Sequence, residues 1–581
     1  MGDYLIVAEA SEDPGAKGLS EALMRAAMQS GYHITTLNAR AWLGVRGPSP
    51  PRLVNIGGWF LVGDVFDRHS PSLPETARGD MWAYERKLAA RIWGRYVGVL
   101  FGSKNKPIAV LRDPSGAMEC VTWSQDDLTL VCSAADDWLI EHLRPKWRIN
   151  PHRLSQALHS LVAGTGPLIL DGPIALEPGT VQPLPATTAP TTIWMPCDIA
   201  RRSLGPPPPL DDAMDRVRTA VDEAVAGLGG LPGPLAADVS GGLDSSIVAA
   251  SLKIAGVADV RLWLNAYGPT PESDERNYAR ILGEALGFKP QFVPHADEPI
   301  GQPWLDALAG GFRPGLNALD FPQDRLWAKW ISASGAEALV TGKGGDSIFF
   351  QAATTDVFTD MWLSTGWRAL GHPDLTELAA INEISTWTMV SNALRYRQGE
   401  NGTLLRDHPM FSQSDPPPPH PWLKNLGDFG PGKAFQIAGV ADGVSHHGAS
   451  TLSRSIDIRH PLCAQPVVEA CLALPTPLLT VGGRDRGLVR RAFRDRLPHE
   501  IVDRRTKGEM TRVYGRMIAA NLNVLRPWLA EGRLAALGLI DREAALTELT
   551  PERLIWRGQH AAILTAAALE AWVRLWERRL A

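Results

Sequence analysis

Cysteine is scarce in this chain of 581 residues: there are five, at positions 120, 132, 197, 463 and 471, and no two form a Cys-x-x-Cys pair. An odd, scattered set argues against a disulfide framework and for buried thiols in a reducing, cytoplasmic compartment. A basic excess is also missing. With 58 Lys and Arg against 63 Asp and Glu, the net charge is −5. That leaves no general surplus to neutralise nucleic-acid phosphates, although one basic groove is compatible with it. The chain has no apolar run long enough for a membrane span and does not open on a basic segment followed by an apolar core. Met1-Gly2 could begin an acylation signal, but Ile6 stands where Ser or Thr is required. These absences point to a soluble, intracellular protein with neither nucleic acid nor membrane as partner.

What is present is ordinary globular composition, 45% hydrophobic and 21% charged, in a chain too long for one core, so about two to four domains are expected. Residues 1 to about 200 read as mainly β. Tyr4-Leu-Ile-Val-Ala8 is a candidate strand and Leu19 to Met28 a candidate helix. From Ile108 to Trp123 two apolar strands flank Asp113-Pro-Ser-Gly116, a turn with Pro second and Gly fourth. Leu128 to Cys132 adds a third strand, and the region reads as an antiparallel meander packed in layers. Gly205-Pro-Pro-Pro-Pro209 cannot join a helix or sheet interior and reads as a stiff spacer. A helical stretch begins at Asp211-Asp212.

From 235 onward strands and helices alternate, which predicts a parallel sheet with helices on both faces. Leu235 to Val239, Val260 to Tyr267 and Ala338-Leu-Val-Thr341 are its strands. Ser273-Asp274-Glu275 reads as a helix start, Tyr278, Ile281, Leu282 and Ala285 as the apolar stripe, and Gly287 as the stop. Residues 352 to about 445 are less regular, and Ser414-Asp-Pro-Pro-Pro-Pro-His-Pro421 reads as a surface loop or lid. The last 70 or so residues read as helical, with Leu569, Trp572, Val573, Trp576 and Leu580 on one core-facing stripe.

The stretch that carries chemistry is Val239-Ser240-Gly241-Gly242-Leu243-Asp244-Ser245-Ser246, between the first of those strands and a helix. A strand–turn–helix of this kind offers backbone N–H groups and hydroxyls to an anion at a positive helix end. The glycines let phosphate approach, and Asp244 can hold a Mg²⁺ that a triphosphate brings. The stretch lacks the G-x-x-x-x-G-K-[ST] of kinases and GTPases and the G-x-G-x-x-G of dinucleotide folds. It resembles instead the PP-loop of ATP pyrophosphatases, which make adenylates. A second loop, Thr341-Gly342-Lys343-Gly-Gly-Asp346, follows a later strand. In open α/β sheets ligands bind at the carboxyl ends of such strands, so the two loops are expected to share a crevice.

With both loops in view the chain resembles the asparagine synthetase superfamily. Leu111-Arg-Asp-Pro-Ser-Gly116, Val131-Cys-Ser-Ala134 and Leu176-Glu-Pro-Gly179 are similar to its glutamine amidotransferase domain. The PP-loop, Ser273-Asp-Glu-Arg276, the 340s loop, Asp457-Ile-Arg-His-Pro-Leu462, Leu488-Val-Arg-Arg-Ala-Phe493 and Arg504-Arg-Thr-Lys-Gly508 are similar to its synthetase domain. The resemblance implies an α+β, αββα-sandwich amidotransferase-like domain over 1–204 and a Pro-rich linker over 205–212. It implies an α/β adenylating domain with a helical C-terminus over 213–581. It also implies ATP and Mg²⁺ as cofactors. Val239 to Ser246, Leu264, Thr341 and Gly342 would bind the nucleotide, and Asp244 and Asp346 the metal.

Three departures narrow the reading. Glutamine-hydrolysing members have a cysteine after the initiator methionine; here Gly2 removes that nucleophile. Lys343 stands where asparagine synthetases have a glutamate and β-lactam synthetases a tyrosine. Leu462-Cys463-Ala464 replaces the Phe-Leu-Asp that follows the motif proline in asparagine synthetases. A domain without nucleophile fused to an intact adenylating domain is similar to β-lactam and carbapenam synthetases and to lasso-peptide cyclases. The segment from Arg459 to Pro475 most resembles the last. That resemblance implies adenylation of an Asp or Glu side chain in a ribosomally made precursor's linear core peptide, followed by attack of the peptide's N-terminal amine. Lys507 matches the superfamily lysine that stabilises the condensation step, Lys343 could relay the amine's proton or hold phosphate, and Asp457 could orient Lys343. Arg484 and Arg486 match basic residues before a family helix and are read as structural. A leader-binding protein and a leader protease are the implied partners; a small-molecule β-lactam synthetase, an asparagine synthetase-like amide ligase and an inactive scaffold are the alternatives.

Overall fold

The strand Asp3–Glu9 has two buried faces, which decides the layering of the N-terminal region. Tyr4, Ile6 and Ala8 join one apolar cluster with Val62, Val97, Val99 and Val110. Leu5 and Val7 join another with Ala16 and Leu23 of the helix Pro14–Gln29. The period of two thus gives each sheet neighbour its own side chains. The computed structural model describes residues 1–68, 80–160, 165–296, 298–396, 408–413, 420–505, 511–557 and 559–581. In it, two six-stranded antiparallel sheets stack face to face. Helix Pro14–Gln29 covers the first, and helix Ala83–Arg91 covers the second through Leu88 against Trp59, Leu61 and Leu111.

The meander expected around Asp113–Gly116 is not there. Strand Pro107–Arg112 lies in the second sheet beside Ile92–Phe101, and Val121–Gln125 lies in the first beside Leu128–Cys132. The turn is a crossing between layers. Its carbonyls need partners inside the protein, and buried Arg112 supplies them by donating to Met118, Leu176 and Gly116 oxygens at 2.8, 2.6 and 3.0 Å.

The later strands form one parallel sheet in the order Pro290–Pro294, Val260–Tyr267, Leu235–Asp238, Ala338–Val340, Asp457–Arg459. Helices Leu210–Gly229 and Leu243–Ile254 pack on one face, and Phe321–Ala333 with Thr451–Ser455 on the other. Strand order reverses between Leu235–Asp238 and Ala338–Val340, where α/β sheets bind ligands. Two local readings shift. The helix after the second strand runs Arg276–Leu286, and Ser273 closes a preceding turn, Pro271–Ser273, through a capping box with Thr270. Gly287 ends that helix in the left-handed region, as read. The stretch expected to be irregular contains helices Thr355–Thr365, Leu375–Ile381, Thr386–Arg395 and Pro431–Gly443. Of the proline-rich loop, 414–419 fall outside the described residues. His420, the loop's next residue, is buried, 3.2 Å from Glu177. The C-terminal stretch is helical, ending in His560–Leu580 with Leu569, Trp572, Val573 and Trp576 buried. All five cysteines are free and buried, and no described helix is long and apolar enough to cross a membrane.

Candidate active site

Strand Leu235–Asp238 ends in a turn that only glycine suits at its tip. Gly241 has φ +87°, and a Cβ there would come within 2.9 Å of Glu275 O. Gly242 caps helix Leu243–Ile254, and the first-turn hydroxyls close on it. Ser246 Oγ donates to Gly242 O at 2.7 Å, Ser245 Oγ does so at 3.2 Å, and the Ser240 and Ser245 hydroxyls are 2.9 Å apart. Val239 N–H donates to Leu264 O at 2.9 Å, so the two expected nucleotide residues from separate strands are adjacent.

The 340s loop approaches this turn closely. A Cβ on Gly342 would lie 2.5 Å from Ser245 N, backbone against backbone. The loop is held from behind: Thr341 Oγ1 is 2.7 Å from His460 Nδ1 and accepts the Lys343 N–H at 3.2 Å. Because that amide can only donate, the hydroxyl's own proton is free to go to His460 Nδ1, which leaves His460 Nε2 to donate to His446 O at 3.3 Å. Burial, aided by neighbouring His447 and Lys343, holds His460 well below the ordinary histidine range. Burial and then the Lys343 charge push His446 down to about 4. These rings are neutral at pH 7. Cys463, expected only as a departure, packs beneath the loop with its thiol toward Lys343 O at 3.6 Å. Burial raises it to about 12, so it is no nucleophile.

Asp244 and Asp346, from the two loops, meet at one nitrogen. Arg486 Nη1 donates to Asp244 Oδ2 and Asp346 Oδ1, each at 2.9 Å. Carboxylates close enough to share one guanidinium nitrogen offer hard oxygen donors of the kind Mg²⁺ takes when phosphates complete its shell. Among the described residues no group of three His, Cys, Asp or Glu side chains could hold an ion unaided. A further acid, Asp238, ends the first strand beside this loop; burial pushes its carboxyl up to about 7 while Lys343 pulls it down.

Asp457 is not in this group. It begins its strand opposite Ala338, whereas the loop leaves the far end of Ala338–Val340. It is fully buried in the seam with the N-terminal sheets, where Arg95 Nη1 donates at 2.9 Å, Arg459 Nε at 2.8 Å, and the Met1 ammonium also donates. Burial works against the charge, but Arg95, the ammonium and Arg459 hold the carboxyl well below the usual range. Asp457 therefore ties the seam and does not orient Lys343. Lys507 lies outside the described residues. Just before it, Arg504 pairs with Glu275 Oε1 at 2.5 Å, stacks over Tyr278, and donates to Gly241 O at 3.4 Å.

A cavity of about 670 Å³ opens in the seam behind the crevice, with Asp3, Arg46, Arg313, His446 and His460 on its walls. His460 thus faces the cavity and holds the crevice loop at once.

Two adjacent loops, a phosphate-type turn and a paired carboxylate site agree with the comparison to known families. The family model described as asparagine synthase matches residues 216–574, more than half of the chain. The chain belongs to the asparagine synthase family. It is therefore an ATP-dependent ligase of the kind that forms carbon–nitrogen bonds. No curated protein matches the chain. Sequence reasoning undervalued Arg486, read as structural, and did not single out Arg504 or His460. Arg486 stood out only as one of two arginines before a helix, and nothing local to the sequence pairs it with residues 242 and 140 positions away.

Proposed function

We propose that this ligase closes a macrolactam in a peptide, as lasso-peptide cyclases do. The observation that carries the adenylation step is the meeting of Asp244 and Asp346 where the Ser240–Ser246 turn faces the Thr341–Gly345 loop. ATP would lie with its phosphates on Ser240, Gly241, Gly242, Ser245 and Ser246. Asp244 and Asp346 would hold Mg²⁺, which would neutralise the phosphate charge. A carboxylate oxygen of a peptide Asp or Glu attacks the α-phosphorus, and pyrophosphate leaves. The peptide's N-terminal amine then attacks the acyl carbon, AMP leaves with the C–O bond electrons, and the amine's proton passes to solvent, while the Lys343 ammonium would hold phosphate oxygens. Lys507 would stabilise the tetrahedral adduct, as the resemblance implies. The rate comes from positioning and charge stabilisation.

The choice of a peptide is supported by three things. Gly2 leaves no nucleophile for releasing ammonia from glutamine, and Lys343 replaces the base of asparagine synthetases. The seam cavity is also of a size that holds more than a single amino acid. A precursor peptide, a leader-binding protein and a leader protease would be the partners.

Pyrophosphate release is the test. It should rise with a linear peptide carrying an acidic residue at ring distance from a free N-terminus, and mass spectrometry should show loss of one water. Release only with a carboxyethyl-amino acid would make this a β-lactam synthetase, and release with aspartate and ammonia an amide ligase. Asp244→Asn should release none with any substrate, and Lys507→Ala should bind ATP but leave the peptide linear.

A further inference from the structure

Arg486 occupies a backbone position that arginine rarely takes. It precedes helix Gly487–Ala492 at φ +53°, and its N–H donates to Phe350 O at 3.1 Å. A non-glycine residue in the left-handed region costs free energy and persists only where its surroundings over-determine it. Here the strained turn aims the side chain back into the crevice, where it is 5% exposed. Nε and Nη2 grip Asp485 Oδ2 at 3.1 and 3.0 Å, which leaves Nη1 to bridge Asp244 and Asp346.

We infer that Arg486 is the resident counter-ion of the Asp244–Asp346 pair, yielding it only to a divalent cation that arrives with a polyphosphate. The inference rests on the reading of those aspartates as metal ligands. Two carboxylates this close repel unless a cation lies between them, and the guanidinium supplies that charge. A bare hydrated cation would have to displace Nη1 and leave a buried guanidinium with Asp485 as its one remaining anion among the described residues, a costly exchange. A cation bound to a triphosphate brings the replacement with it. The released guanidinium gains phosphate oxygens, which suit its planar fork. Cation and nucleotide would then bind as one unit, and a lone cation poorly.

The test is titration of the full-length protein with Mn²⁺, reading free Mn²⁺ by electron paramagnetic resonance. Without nucleotide the wild type should leave the free signal nearly intact, whereas Arg486→Met should retain Mn²⁺ at least about tenfold more tightly. Adding Asp346→Asn to that variant should abolish the retention. With α,β-methylene-ATP present the wild type should bind Mn²⁺. If the wild type alone binds Mn²⁺ at an Asp346-dependent site within about twofold of Arg486→Met, the inference is wrong. Failure of Mn²⁺ and the analogue to bind wild type together would instead overturn the ATP-site reading. Should Arg486→Met not fold, the wild-type titration decides alone, since Asp346-dependent binding of Mn²⁺ without nucleotide overturns the inference and its absence upholds it.

Discussion

Thr341 shows how one hydroxyl can organise a crevice. Its oxygen accepts the Lys343 amide and lies within hydrogen-bond distance of His460, so Thr341→Val would take that partner from buried His460 Nδ1 and from the part-buried Lys343 N–H. A buried polar group costs about 1–3 kcal/mol when orphaned. The variant should lose stability of that order in urea unfolding, and its pyrophosphate release should fall because the loop carrying Lys343 is no longer pinned. Asp113 makes a different kind of statement. Burial raises its carboxyl to about 6, against hydrogen bonds from Ser115 and the charge of Arg112. The unfolded chain releases that proton near pH 4, and the folded one holds it to about pH 6. Between those values the folded state binds more protons, so this group's contribution falls as pH rises and is level above about 6. Asp113→Asn should remove that part of the slope, seen by comparing denaturant midpoints of the two proteins from pH 4.5 to 7. Neither role could be read from the sequence. Both depend on which distant groups surround the side chain, and the motif around Asp113 showed a turn and a family resemblance but not its burial.

At the scale of elements, periodicity was informative and connection was not. The alternation in Asp3–Glu9, the strand before the Ser-Gly-Gly turn and the C-terminal stripe were legible because each element buries a face set by its own period. What the period cannot state is which sheet a strand joins. Pro107–Arg112 and Val121–Gln125 read as neighbours and lie in opposite layers, because the turn between them is stabilised by Arg112 and not by strand pairing. Asp457 was misread for a related reason: its motif was visible, but which end of its strand faces the crevice was not. The group of helices between Thr355 and Gly443 hides a similar dependence. Helix Pro431–Gly443 begins at Gly430, which has no capping side chain, and takes its cap from another helix: Asp360 accepts from Gly432 and Lys433 N–H at 2.9 and 2.8 Å. Asp360→Ala should therefore destabilise a helix distant in sequence by about 1–2 kcal/mol. Hydrogen exchange should show its amides losing protection from 431 onward while the N-terminal sheets keep theirs.

The whole molecule is organised by a seam that a motif search does not see. Arg95, from the N-terminal sheets, is buried and donates to Asp64 on its own side and to Asp457 and Ile458 O on the other. Aromatic rings cross the same boundary, with Trp147 tilted against Phe312 and Trp576, and Trp194 edge-on to Trp422. This makes the N-terminal layers part of the synthetase's support even with no nucleophile at Gly2, because the strand Asp457–Arg459, which His460 follows, starts in that ion cluster. Replacing Arg95 by Met keeps the volume but leaves buried Asp457 and half-buried Asp64 short of a partner, and breaking a buried pair typically costs about 3–5 kcal/mol. The wild type should unfold as one calorimetric transition. Arg95→Met should unfold earlier, with the N-terminal layers separating from the parallel sheet as a distinct first step. Substituting Asp457→Asn in the same chain should return part of the loss, since the charge left without its partner is then gone. A single undivided transition in Arg95→Met at the wild-type temperature would mean that the other seam contacts, the aromatic rings and the Met1 ammonium among them, suffice to join the two halves.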